Sequence, residues 1–170
     1  MEKRSESDAA RIRQRQIRED NNLFSRLPAI YAASRQQGQK MLRSAGGLSI
    51  VEWRTLWDLT EAGPLTIREL ADIQRTDHSL VSRALPDMRR KGYVEIHRSE
   101  SDGRQMVVAL TDKGRLAYER AAPTMKRRRE AIRERFTPEE LSQFVSYLDR
   151  FEEFLRGPID DLILKEEVIE

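Results

Sequence analysis

The sequence contains no cysteine, and only 6 % of its 170 residues are aromatic. Without cysteine the chain can form no disulfide framework, no thiolate nucleophile and no thiol-based redox switch. Its two histidines, His78 and His97, are too few to hold a structural zinc ion by themselves. We therefore expect neither a bound metal nor a cofactor.

Long hydrophobic segments are absent as well. No apolar run approaches the roughly 20 residues of a membrane-spanning helix, and the charged N-terminus lacks the hydrophobic region of a signal peptide. Charged residues make up 35 % of the chain and hydrophobic residues 38 %, a balance typical of helices with solvated faces. These features predict a cytoplasmic protein that has no membrane partner.

The net charge of +2 is too small to indicate a nucleic-acid partner by itself. The distribution of charge is more informative, because DNA-binding proteins carry their basic residues in clusters. A central group of basic residues forms such a cluster: Arg83, Arg89, Arg90, Lys91, Arg98 and Arg104.

Three helix starts are signalled by the capping-box pattern, in which a Ser or Thr and a Glu three residues later satisfy each other's backbone N–H groups. The three pairs are Ser49 with Glu52, Thr66 with Glu69, and Thr137 with Glu140. A long helix is predicted before them, from Leu23 to the two glycines at 46–47. Residues 1–21 form a charged extension, which we expect to be a frayed helix or a disordered tail rather than a DNA-contacting arm.

The central part of the chain combines helices with a hairpin. The helices that begin at Ser49 and Thr66 are followed by a short turn and a third helix over 77–91. Two β-rich runs then flank Asp102-Gly103, a pattern that predicts a β-hairpin. This order is typical of a winged helix-turn-helix, in which the second helix of the pair enters the major groove of DNA. The predicted fold is mainly α with a small antiparallel β-hairpin wing, and residues 49–111 form the DNA-binding region.

The third helix has one apolar face and one polar face. The polar residues that we expect in the major groove are His78, Ser79, Ser82 and Arg83. Arginine can bind guanine O6 and N7 through two hydrogen bonds, and serine can bind phosphates or bases. In the hairpin we expect Arg98, Asp102 and Arg104 to form the DNA contact, with the last of them reaching the minor groove. The alternative is an ordinary hairpin with a solvated arginine.

A proline lies in the middle of this helix. Pro86 removes one backbone hydrogen bond, to the carbonyl of Ser82, and its ring should kink the helix. The kink either tunes how the helix enters the groove or is simply tolerated.

The sequence resembles the MarR/SlyA family of bacterial winged-helix regulators. The segments that carry the resemblance are LTIRELADIQRTDHSLVSRAL, MRRKGYV and SESDGRQMVVALTDKGR. The most specific part is D-x-R followed by a strand and L-T-x-x-G, and the resemblance covers about residues 22–156. The absence of cysteine excludes the peroxide-sensing branch of the family.

The resemblance implies a homodimer that binds a pseudo-palindrome in double-stranded DNA and represses transcription. Helices in 22–48 and 112–170 would form the dimer interface, with these side chains facing the partner: Leu23, Leu27, Phe144, Leu148, Phe151 and Leu155. It also implies a small aromatic or anionic effector that relieves repression. Candidate ligand residues are Tyr31, Arg35, Trp53 and Trp57. The alternative interpretation places the two tryptophans in the core.

Three other functions compete with this interpretation. An enzyme is disfavoured, because neighbours such as Asp77, His78 and Ser79 point in different directions on one helix and cannot form a catalytic relay. The chain also has no phosphate-binding glycine loop and no paired-histidine metal motif. A helical protein-interaction module and a non-specific architectural DNA-binding protein remain open. The first would not bind DNA, and the second would bind any duplex equally.

Overall fold

The structure, a computed structural model, describes residues 6–98, 105–159 and 163. The elements follow in this order: α1 Glu6–Asp20, α2 Leu23–Ser44, α3 Ile50–Ala62, β1 Leu65–Thr66, α4 Ile67–Gln74, α5 His78–Arg90, β2 Val94–Arg98, β3 Met106–Leu110, α6 Asp112–Arg133 and α7 Pro138–Arg156. The predicted fold class, mainly α with a small antiparallel sheet, is confirmed.

All three predicted capping boxes are present. At the start of α3 the Ser49 hydroxyl accepts a hydrogen bond from the Glu52 N–H at 3.2 Å, and the Glu52 carboxylate accepts one from the Ser49 N–H at 2.6 Å. The same reciprocal pair begins α4 and α7. These starts are determined locally, because each box satisfies two backbone donors that the helix leaves unpaired.

The sheet has three strands in the order β1-β3-β2, all antiparallel. The predicted hairpin is β2 with β3, in a register that places Ile96 opposite Val108. The strand β1 was not predicted. It has only two residues, so it shows no alternating pattern, and it directly precedes the start of a helix.

Residues Met1–Lys126 and Arg127–Glu170 form two compact units, and the division falls within α6. The buried core of the first unit draws on its helices and strands, including Leu42, Leu56, Leu70, Val81 and Val108. In the second unit α7 buries none of its residues. Its apolar side chains are therefore on the surface of this chain.

The N-terminal extension contains a helix. Over α1, Arg11 pairs with Asp8 at 3.0 Å and Arg15 pairs with Glu19. Of the two structures expected for this region, the solvated helix is the one found over Glu6–Asp20. Its arginines are balanced by acidic neighbours on the same helix.

The L-T-x-x-G motif connects β3 to α6. The Thr111 hydroxyl accepts a hydrogen bond from the Gly114 N–H at 3.0 Å, and it lies 2.6 Å from the carbonyl oxygen of Gly92. Gly114 itself packs directly on the backbone before β2: a Cβ at this position would lie 2.0 Å from the carbonyl oxygen of Tyr93. Glycine is therefore required here by close approach.

We expect Gly114→Ala to lower the free energy of unfolding by about 3 kcal/mol, the upper end of the usual cost of overpacking, because the clash is with backbone. Helix propensity alone predicts the opposite sign, a gain of about 1 kcal/mol. Urea unfolding of the full chain measures the change. Gly157→Ala is the control, because a Cβ there would meet no atom closer than 3.4 Å. Equal stability of the two variants would contradict the packing argument.

Candidate nucleic-acid interface

The pair α4 and α5 is joined by a tight turn. Arg75 adopts a left-handed conformation, with φ 46° and ψ 51°, and the Thr76 N–H donates to the Ala71 carbonyl at 3.0 Å. Asp77 then caps α5, its carboxylate accepting from the Ser79 N–H at 2.7 Å. Hydrogen bonds to Ser79 hold the pKa of Asp77 below its usual value, so this cap is charged at neutral pH.

A buried amide fixes this turn to α3. Gln74 is only 4 % exposed, and its Nε2 donates to Asp58 Oδ2 at 2.9 Å and to Thr55 Oγ1 at 3.3 Å. The Arg54 guanidinium donates to the Gln74 carbonyl. Burial raises the pKa of Asp58 above its usual value, although the bond from Gln74 and the nearby Arg54 oppose the shift.

The two faces of α5 are as predicted. Val81, Leu85 and Met88 are buried. On the opposite side His78, Ser79 and Arg83 are exposed, and Ser82 is half-buried. The structure therefore brings the four predicted major-groove residues to one accessible surface at the N-terminal half of α5.

Arg83 lies along this surface instead of extending from it. Its Nε donates to the Ser79 carbonyl oxygen at 2.9 Å, and its Nη2 lies 3.3 Å from the Ser79 hydroxyl oxygen. The Ser82 hydroxyl also bonds to the Ser79 carbonyl, at 3.2 Å. To reach a guanine, the Arg83 side chain must exchange these bonds for bonds to the base.

Only part of the predicted wing site falls within the described residues. Arg98 is exposed at the end of β2, opposite Met106 on β3. The other two predicted wing residues, Asp102 and Arg104, lie outside the described residues.

A groove of about 470 Å³ adjoins the start of α5. It is lined by residues from the first turn of α4, the start of α5 and the base of the wing, among them Arg68, Glu69, His78, Gln105 and Met106. Sequence reasoning identified His78 but not Arg68, which is an exposed cation on the same groove.

Two members of the predicted basic cluster are ion-paired. Lys91 Nζ lies 2.7 Å from Glu52 Oε1 and 2.8 Å from Asp87 Oδ2, and Arg90 also pairs with Asp87. The Glu52 side chain is 5 % exposed and that of Lys91 is 40 % exposed. This contact ties the C-terminal end of α5 to the start of α3. Lys91 is therefore a structural residue as well as a basic one.

The charge of Glu52 is stabilised in this position. Burial alone would raise the pKa of Glu52, but hydrogen bonds from Lys91 and Ser49 outweigh burial and hold the pKa below its usual value. The bonds to Asp87 and Glu52 raise the pKa of Lys91. Both groups are ionised at neutral pH.

The predicted effector residues occupy two different surroundings. Trp53 is 3 % exposed and stacks on Tyr118 with ring centroids 5.1 Å apart, so its indole is part of the core. The ring of Trp57 lies 6.0 Å from that of Trp53. Tyr31 and Arg35 are exposed on α2, where the guanidinium lies 5.7 Å from the phenol centroid.

The predicted interface residues are accessible within the single chain. Leu23, Phe144 and Leu155 are 59 %, 54 % and 51 % exposed, and Leu148 is 38 % exposed. Leu27 and Phe151 are half-buried. In the second unit an apolar groove of about 400 Å³ is lined by residues from the end of α6, the segment that follows it and α7, among them Ile132, Phe136, Leu141, Phe144 and Tyr147.

Two further features bear on other functions. None of the helices in the described part of the chain combines the length and the apolar character needed to cross a membrane. Within the same residues no group of His, Asp or Glu is placed to hold a metal ion.

Sequence reasoning missed the contacts between distant segments. Glu52 was recognised as a capping residue, but its bond to Lys91 spans 39 positions. The bond from Gln74 to Asp58 spans 16 positions. Local spacing carries no signal for such pairs, although a glutamine just before a helix-turn-helix turn could have been recognised as a candidate buried hydrogen-bond donor.

A comparison with protein families agrees with this geometry. The model of the MarR family matches residues 46–105, which extend from before α3 to the base of β3. No protein of curated function matches the sequence.

Solved structures share the fold over most of the chain. A MarR/EmrR family transcriptional regulator from Acinetobacter sp. ADP1 is 22 % identical with a TM-score of 0.71, over 80 % of this chain and 96 % of that one. A MarR family regulator from Silicibacter pomeroyi is 26 % identical with a TM-score of 0.60, over 82 % and 96 %. Sco3205, a MarR family regulator from Streptomyces coelicolor solved in complex with DNA, is 24 % identical with a TM-score of 0.65, over 82 % and 96 %.

We expect Glu52→Gln to destabilise the fold by about 1–3 kcal/mol at pH 7, because glutamine keeps only one acceptor oxygen and its NH2 group would face either the Lys91 ammonium or the Ser49 N–H in a buried position. The exposure of Lys91 and its second partner, Asp87, keep the cost below that of a fully buried pair. Glu69→Gln is the matched control: it changes the same capping-box position at the surface, without a lysine partner, and should cost less. Urea unfolding measures both variants.

The excess cost of Glu52→Gln should depend on pH. Since the pKa of Glu52 is lowered in the folded state, its stabilisation is complete above the unfolded value of 4.5 and is lost as pH falls through the folded value. The difference in unfolding free energy between parent and variant should therefore shrink in acid. A difference that stays constant down to pH 3 would contradict an ionic role for Glu52.

Proposed function

We propose, from the premise that residues 46–105 carry the winged helix of the MarR family, that this chain is a sequence-specific, double-stranded DNA-binding transcriptional regulator. It acts as a homodimer on a pseudo-palindromic operator and represses its target until an effector binds. The observation that carries the proposal is the polar, accessible face of α5, which is fixed to the core from its other side.

The size and shape of this surface fit duplex DNA. A major groove about 12 Å wide admits one α-helix, and residues near the helix N-terminus reach the base edges. His78, Ser79 and Arg83 occupy that end of α5. The exposed Arg68 and Arg98 lie on neighbouring elements, where cations are suited to contact phosphates and thereby position the helix.

A second copy of the chain is the proposed partner for the exposed apolar surfaces. Leu23, Phe24 and Ile30 on α2 are all more than half exposed, as are Phe144 and Leu155 on α7. Large apolar patches of this kind mark interaction sites, because leaving them in water costs about 25 cal/mol per Å². Two-fold symmetry in the protein would match a two-fold symmetric operator.

The proposed effector is a small aromatic anion. The exposed Tyr31 and Arg35 pair offers a ring and a cation side by side, and Trp57 offers a partly exposed ring near the core. Trp53 is assigned to packing rather than to the ligand. Quenching of tryptophan fluorescence by benzoate would measure such binding, and an unchanged spectrum at saturating benzoate would count against this effector class.

We expect Arg83→Ala to weaken operator binding by about 1–3 kcal/mol and to relax specificity at one base pair in each half-site.

Arg104→Ala should instead weaken binding to all sequences and reduce the slope of log K against log salt by about one for each lost phosphate contact. The operator is first selected from random duplexes, with half-sites expected about 10 bp apart. Arg13→Ala, an equal charge change on α1, is the control.

The selection also separates the competing functions. A helical interaction module would enrich no duplex even at low salt. An architectural protein would bind all duplexes with similar affinity. Binding of the Arg83→Ala variant to the operator with the affinity and specificity of the parent would show that Arg83 reads no base.

We expect Phe144→Asp to convert a dimer into a monomer without unfolding it, because Phe144 is 54 % exposed in the single chain. Ser146→Asp introduces the same charge on the opposite face of α7 and should leave the dimer intact. Sedimentation velocity at micromolar concentration measures the oligomeric state, and circular dichroism checks the fold. A parent chain that sediments as a monomer would overturn the homodimer.

A further inference from the structure

The exposed stripe of α5 contains a proline. Ser79, Arg83, Pro86 and Arg90 recur at helical spacing, so they lie on one side of the helix. All four are exposed, whereas Val81, Leu85 and Met88 face the core. Pro86 therefore belongs to the face that the proposed function places in the major groove.

Pro86 lowers the stability of α5, and its own packing does not compensate for this loss. A proline inside a helix costs roughly 3 kcal/mol, because it removes a hydrogen bond and its ring crowds the preceding turn. Here α5 continues through Pro86 to Arg90. The anchors that hold it are apolar contacts at Leu85 and Met88 and the bond from Lys91 to Glu52. Pro86 itself is exposed and is not part of the core.

The chemistry of the ring suits one feature of the major groove. The proline side chain is a compact apolar surface with no donor or acceptor. Among the base edges of the major groove, the apolar group is the 5-methyl of thymine, and small apolar side chains contact it. A polar residue at this position would favour base polar groups instead.

The position of the ring also defines where the contact falls. Pro86 lies three positions after Arg83, about 4.5 Å along the helix axis at 1.5 Å per residue. Successive base pairs are about 3.4 Å apart. With the axis of α5 along the groove, as the proposed function requires, the ring would face a base pair within one or two positions of the pair contacted by Arg83.

We propose that Pro86 is a specificity-determining residue that packs its ring on the 5-methyl group of a thymine in each operator half-site. This inference rests on the proposed function, because it requires α5 to lie in the major groove. It assigns to Pro86 a role in recognising the operator, in addition to its effect on the helix.

The test removes the methyl group and the ring separately. After selection of the operator with the full chain, each thymine is replaced in turn by uracil, which pairs identically but lacks the methyl group. We expect one uracil position per half-site to weaken binding of the parent about fourfold, the value of burying one methyl group. Replacement in both half-sites should weaken binding about sixteenfold if the two contacts are independent.

Pro86→Ala should reduce the sensitivity to that uracil, because the alanine side chain presents less apolar surface than the proline ring, while the contact made by Arg83 is kept. The variant restores a helix hydrogen bond, so it should fold at least as well as the parent. Pro123→Ala is the matched control: it removes an exposed proline within α6 and should leave the uracil effect unchanged. The uracil scan of the parent requires no variant and remains decisive if Pro86→Ala does not fold.

The outcomes distinguish this inference from the proposed function. If no duplex is enriched, the proposed function fails and this inference fails with it. If an operator is selected but no uracil position near the Arg83 contact weakens binding, the thymine contact is wrong while the regulator function stands. The same conclusion follows if the uracil effect persists undiminished in Pro86→Ala.

Discussion

The structure depends on two attachments to α3, one made by the last residue of α4, just before α5, and one made by the residue that follows α5. At the turn before α5, the buried Gln74 side chain donates to Asp58 and Thr55 of α3. At the far end, Lys91 bonds to the buried Glu52 in the first turn of the same helix. Between these two points the apolar face of α5 fills the core. A helix held in this way can present its outer face at a fixed angle, because the contacts that stabilise it lie on its inner face and at its ends.

The separation of a packed inner face from an unpacked outer face explains the composition of α5. Its outer positions are free of packing requirements, so they can carry short polar residues, an arginine and a proline. The proline is the strongest indication that α5 is stabilised by its contacts with the rest of the fold, because an isolated helix of 13 residues would not tolerate a proline easily. The hydrogen bonds of Gln74 and Lys91 determine how α5 is oriented as well as how stable it is. They are directional, and a buried donor without its acceptor costs about 1–3 kcal/mol. Alternative placements of α5 on α3 would leave Gln74 or Glu52 unpaired.

The parts of the fold predicted from sequence are those with local causes. The capping boxes fixed three helix starts because both partners of each lie within four residues, and the hairpin followed from the turn and its β-rich flanks. The strand β1 was missed because two residues carry no periodicity. The polar and apolar faces of α5 could be predicted from helical spacing. The bond from Arg83 to Ser79 and the ion pairs of Lys91 could not, because they depend on rotamers and on distant residues. The hairpin pattern located the predicted wing residues, of which only Arg98 lies within the described residues.

The ion pairs also bear on the kind of DNA binding that is proposed for this surface. Non-specific affinity comes from cations that contact phosphates, and here Asp87 pairs with both Arg90 and Lys91 near the end of α5. These pairs leave fewer uncompensated cations at that end of α5. In the proposed complex with DNA, a larger share of the binding energy then comes from contacts between side chains and base edges. A rigidly held helix favours such contacts, because the spacing between the groups that read the bases is fixed before DNA binds. In that complex a mismatched base would be costly, because a shift of α5 to another partner would break the contacts that hold it against α3.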